Sequence, residues 1–176
     1  MTGLLLNEPI LEALLELLEA RLPTVIAEVN AEIDDAFALP EPAQFLDFMP
    51  AAGTLKGGTP AVCLQDLPAE FFDDLQFSLS ANHGVGVAAV IQNADQRTLA
   101  WQLRRYTKAI ARTIQLDRLE GPSGFLKRGA AAVWYTQFAG TEPGPLLERQ
   151  PGGEATPPNA WESWTWLMLR CRRQEI

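Results

Sequence analysis

Cysteine is almost missing from this chain. It occurs only at Cys63 and Cys171, far apart and without a neighbour at metal-ligand spacing, so neither a disulfide framework nor a zinc site is encoded and two buried free thiols are expected. Histidine occurs once, in Asn82-His83-Gly84, with no local partner for a catalytic or metal role. A Ser/His/Asp triad would have to assemble in space, and a structural or exposed imidazole is expected instead. Long apolar runs are lacking too. Val85 to Ile91 is far short of the roughly 20 residues a membrane helix needs, and the start carries no basic stretch or small-residue cleavage site, so the reading is a soluble, unexported protein without membrane contact. Basic side chains are scarce early on: residues 1–75 hold two Lys/Arg against fourteen Asp/Glu. With a net charge of -8 the whole chain is a poor general ligand for phosphate backbones.

What is present fits one globular domain, residues 1–176. With 47% hydrophobic and 20% charged side chains, a chain of this length buries a real core. The second part reverses the charge balance, with twelve Lys/Arg against eight Asp/Glu in residues 76–176. A protomer with one acidic and one basic side can bind copies of itself head to tail, and such heterologous contacts close into rings when the rotation permits. The asymmetry points to assembly rather than catalysis.

Along the chain, Asn7 and Pro9 open an amphipathic helix whose Leu11, Leu14, Leu15, Leu18 and Leu22 oppose Glu12, Glu16 and Glu19. Pro23 is expected to kink or break it before a second helical stretch through Val25, Val29, Ile33 and Ala36. Residues 39–60, with four of the thirteen prolines and Gly57-Gly58, read as an irregular connection. Strands follow at 61–67 and 77–81. The second runs on through the alternating Val85, Val87, Ala89 and Ile91, with a bend or bulge near Gly84. Asn93 or Asp95 caps a helix over 97–118 with a clean apolar stripe of Leu99, Leu103, Tyr106, Ile110 and Ile114. A strand over 130–138, a long Gly/Pro-rich loop over 140–160 and a closing strand over 161–172 complete the order. The fold class is α+β, a mostly antiparallel four- to five-stranded sheet with helices packed on one face.

Few residues offer chemistry. Asp34-Asp35 and Asp73-Asp74 are adjacent carboxylates, which on a helix point about 100° apart and suit a solvated acidic face or a subunit salt bridge better than a catalytic dyad. The glycines match neither a phosphate loop nor a dinucleotide fingerprint. No catalytic, cofactor-binding or metal-binding residue is assigned. The candidate interaction surface is the outer face of the 97–118 helix, with Arg97, Trp101, Arg104, Arg105, Lys108 and Arg112. Trp101 lies about 200° from Leu99 and cannot reach the core. A covering loop, a partner subunit and stacking on nucleic acid all remain open for it. The final strand has Trp164 and Trp166 on one face and Trp161, Leu167 and Leu169 on the other, so it is buried on both sides or meets another chain.

The layout resembles the neck and tail-terminator proteins of tailed bacteriophages. The features that carry the likeness are a Leu-rich first helix ending in Arg21-Leu22-Pro23, a Pro-rich connection, the short Pro60-Ala61-Val62 strand, a hydrophobic strand leading into Arg97 to Leu116, and the closing strand. The resemblance implies a non-enzymatic virion protein at the head–tail junction. It would form a homo-oligomeric ring, typically of six copies, on the tail tube protein, where it stops tube growth and presents a surface to the head connector or stopper. In contractile tails the last sheath ring is a further neighbour. No cofactor and no active-site residues are implied. Arg104, Arg105, Lys108 and Arg112 of one copy are then expected to meet Asp34, Asp35, Asp73 or Asp74 of the next. Another head–tail joining or baseplate component, or a nucleic-acid-binding module using the basic helix, are the alternatives.

Overall fold

The computed structural model describes residues 8–33, 35–51, 54–74, 78–119, 133–148 and 160–174. In chain order these form α1 (Glu8–Ile33), β1 (Gln44–Leu46), β2 (Ala61–Asp74), β3 (Ser78–Asn93), α2 (Gln96–Leu119), β4 (Val133–Pro143), β5 (Leu147–Glu148) and β6 (Trp161–Gln174). The fold is α+β, with both helices against one six-stranded mixed sheet of order β1-β2-β3-β6-β4, in which β5 also pairs with β6. Among the described residues only β1 and β2 run parallel; every other pair is antiparallel. The strands that the sequence pattern did not place are β1 and β5, of three and two residues, too short to leave an alternating pattern.

Period-two alternation decides which side of each strand meets the helices. Val85, Val87 and Ile91 of β3, Val62 and Leu64 of β2, and Leu167 and Leu169 of β6 share one core with Ile10, Leu14, Leu18 and Leu22 of α1 and Leu99, Tyr106, Ile110 and Ile114 of α2. The opposite face carries the smaller residues Ala61, Cys63, Ala88 and Val90, against which Trp164 and Trp166 lie together with Leu46, Met49 and Leu55 from the connection. So β6 is apolar on both sides because each side has its own layer. The bare backbone of Gly86 admits the Trp166 ring, since a Cβ there would stand 2.9 Å from it.

Three expectations are corrected. Of the kink or break expected at Pro23, the break does not occur, since Pro23 lies inside a single 26-residue helix. The hydrogen bond it removes would end on the carbonyl of Glu19, an exposed residue that water can satisfy, while Leu22, Val25, Ile26 and Val29 continue the buried face on both sides. Next, β3 passes through Asn82-His83-Gly84 without a turn, and the irregularity falls on its neighbour β2: Leu67 pairs with Gly84 and Glu70 with Asn82, so Pro68 and Ala69 oppose His83 alone. A bulge is where a strand tolerates a proline that cannot donate to the ladder. Finally, residues 140–160 are not one loop. β4 runs to Pro143, the Gly144 amide donates to the Trp164 carbonyl at 2.7 Å, and Leu147–Glu148 rejoin β6 opposite Glu162 and Trp161. One interrupted edge strand therefore follows β6 from Val133 to Glu148.

Gly84 makes this bulge possible, because a Cβ there would lie 2.8 Å from Leu67 Cβ and 3.0 Å from the Pro68 carbonyl oxygen, neither of which is the free end of a side chain. Gly84→Ala is expected to cost about 1–3 kcal/mol of folding stability, read as a lower urea midpoint with unchanged slope.

Candidate functional site

The surface singled out in the sequence is built on α2. Asp95 caps the helix: its Oδ2 accepts from the Thr98 amide at 2.8 Å and from the Thr98 hydroxyl at 2.5 Å, and these bonds, the hydroxyl's first, hold the carboxyl below its usual range. The amide of Asp95 in turn donates to Asn93 Oδ1 at 2.9 Å. The clean apolar stripe then fixes the rotation of α2, which decides where each basic residue points.

Half of the basic face is engaged inside the chain. The Arg105 guanidinium grips Asp35 with two bonds, Nη1 to Oδ1 at 2.7 Å and Nη2 to Oδ2 at 2.5 Å, and Nη1 also donates to the Phe37 carbonyl at 2.6 Å. Arg105 is 7% exposed, so its place on an open face is corrected: its fork closes over the turn that follows α1. Arg112 meets Glu32 at 2.5 Å and Glu28 at 3.1 Å, and Lys108 reaches Glu32 at 3.8 Å. Rising numbers on α1 meet falling numbers on α2, so the helices pack antiparallel. Of the carboxylates expected to reach between copies, Asp35 therefore serves its own chain. Asp34 lies outside the described residues, as do the side chains of Asp73 and Asp74 at the end of β2.

What remains without a carboxylate partner among the described residues is Trp101, 40% exposed, with Arg97 and Arg104. Trp101 is held from beneath by Phe37, with ring centroids 6.1 Å apart and planes 22° from parallel. Arg104 lies 5.2 Å over the Trp101 ring, Arg97 lies 5.8 Å over Phe37, and the buried Arg105 touches both rings. Among the described residues neither Arg97 nor Arg104 is within salt-bridge distance of a carboxylate.

Phe37, Glu28 and Glu32 were not singled out from the sequence. The last two carried a usable signal. Acidic side chains near the C-terminal end of a helix oppose its dipole, and α1 has no basic residue in its last turn, so cations from elsewhere are called for. Phe37 lies just past Ala36, where the sequence reads as helix, whereas α1 ends at Ile33, so nothing in the pattern marks it as a plate for Trp101.

Elsewhere, His83 is buried at 1% exposure on the helix-facing side of the sheet, directly opposite Cys171, itself 1% exposed. Burial pushes the Cys63 thiol up to about 12. Among the described residues no group of three or more His, Cys, Asp or Glu could hold a metal ion, and no helix is long and apolar enough to cross a membrane. Compared with protein-family models and with curated proteins, the chain matches none.

The Arg105 hydrogen bonds, and next the Phe37 amide, hold the Asp35 carboxyl at about 2, below its ordinary 3.8. Because the folded value is the lower one, this contribution to stability is complete above about pH 4 and disappears as the pH falls through about 2. Asp35 is partly open to water, so added salt weakens the effect. Arg105→Gln is expected to lower the thermal midpoint at pH 7 and to flatten its fall between pH 4 and pH 2, as followed by circular dichroism.

Proposed function

We propose that this chain is a structural protein of the tail-terminator type. Copies arranged head to tail form a ring on the end of a bacteriophage tail tube, stop its growth and present a surface to the head connector, at the head–tail junction of the virion. The observation that supports it is the Trp101 platform. Tryptophan and arginine are the residue types most enriched at interface hot spots, and a ring already immobilised by Phe37 and flanked by Arg97 and Arg104 loses little freedom on binding. The tail, the ring and its neighbours, namely tube, connector and in contractile tails the sheath, come from the architectural likeness. The unequal division of charge supports head-to-tail contact.

Nucleic acid suits the same face less well. Three of its five cations, Arg105, Lys108 and Arg112, already face carboxylates, which reduces the charge left for phosphates.

Two outcomes test the proposal. Tails assembled without the chain should carry tubes of uncontrolled length in electron micrographs; tubes of normal length would reject the terminator role. Trp101→Ala with Arg104→Ala should change fold stability by less than about 1 kcal/mol but weaken association with the partner about 30-fold, measured by sedimentation or by occupancy on purified tails.

A further inference from the structure

The internal pairing of α1 with α2 leaves two charged surfaces unmatched. One is Arg97, Trp101 and Arg104 at the start of α2. The other is Glu12, Glu16 and Glu19, exposed at i, i+4 and i+7 on the first half of α1, with the half-buried Leu11 and Leu15 along the border. Among the described residues none of these three glutamates has a cation partner.

The antiparallel packing also separates the two surfaces. Starting from the Arg112–Glu28 contact, Glu16 lies about 18 Å away along α1, and Trp101 about 16 Å away in the opposite direction along α2. Two surfaces about 35 Å apart along the helix layer cannot meet within one protomer. Each carries what the other lacks: an aromatic ring with cations at one end, leucine edges with carboxylates at the other.

We infer that the Glu12, Glu16 and Glu19 stripe of one copy docks on the Arg97, Trp101 and Arg104 face of the next. The inference rests on the ring proposed above and names its contact. Trp101 lies against Leu15 while the arginines meet the glutamates. Because the two surfaces differ and sit at opposite ends, the contact is heterologous: each copy offers one half to either side, and the series closes or propagates instead of stopping at two.

A chain carrying both Ala20→Cys and Ala100→Cys, exposed neighbours one turn from Glu16 and Arg104 that leave those charges in place, tests this directly under mild oxidation with diamide, analysed on denaturing, non-reducing gels. The native Cys63 and Cys171 are buried and stay silent. A ladder of covalent species beyond the dimer is expected, in solution at high concentration or on purified tail particles, whereas each single variant stops at the dimer. Only monomer and dimer from the double variant in both settings, with the far-ultraviolet spectrum of the native chain, overturns the contact. As a second readout, Glu16→Lys should weaken self-association about tenfold at low salt and Arg104→Glu in the same chain should restore it; no restoration counts against the pairing. The two proposals fail separately. A ladder from chains whose absence leaves tube length normal sinks the terminator role alone, and runaway tubes without a ladder sink the helix contact alone.

Discussion

The arginine fork on the turn after α1 is the interaction on which the helix layer depends. A 26-residue helix ends there with no basic residue in its last turn, and the chain must reverse toward the sheet. Arg105 supplies the missing charge and binds the Asp35 carboxylate and the Phe37 carbonyl together. Around it, Gln102 donates to the Ala38 carbonyl at 3.1 Å, the Tyr106 hydroxyl donates to the Pro40 carbonyl, and Asn30 brackets Leu39 with bonds to its amide and carbonyl at 2.7 and 2.9 Å. A connecting segment thus has its backbone polar groups satisfied by side chains from both helices. Burial raises the Tyr106 phenol well above its usual range, with a smaller push from the Glu41 charge, so it remains a donor at any ordinary pH. The same turn carries Phe37, and so the position of Trp101 follows from a contact whose first role is structural.

The sheet is organised by an unequal division of side-chain size. Its helix-facing side is branched and large, and its other side is Gly86, Ala88, Ala61 and Cys63, small enough for indole rings to lie flat across strands. Gly144 extends the pattern, since a Cβ there would stand 2.4 Å from Trp164 Nε1. The connection between α1 and β2 completes that layer through Met49 and Leu55, and Gln44 Nε2 anchors it on the Gly58 carbonyl at 2.6 Å.

Legibility in the sequence followed the range of the forces involved. The α2 stripe and its cap were readable because period, cap and turn all lie within a few residues and agree. The sidedness of β6 was readable for the same reason. Pro23 misled because a local rule about helix breaking was outweighed by apolar residues held on the sheet. Pro68 shortened the apparent β2, since its tolerance depends on a glycine in another strand. The Gly/Pro content of 140–160 concealed a strand edge whose pairing is set by β6. For the candidate surface, the five cations were legible but their partners were not. Counting charge by halves of the chain suggested contacts between copies, whereas antiparallel helix packing brings Glu28, Glu32 and Asp35 to Arg112, Lys108 and Arg105 and leaves Arg97 and Arg104 without a carboxylate among the described residues.

The placement of β6 bears on synthesis. It follows every other described element in sequence, yet it sits between β3 and β4 and contributes to both apolar layers. While residues 161–174 are still within the ribosome, β3 has a partner on one side only and β4 has none on the sheet. The sheet therefore cannot be completed strand by strand in chain order, and its closure waits for residues 161–174.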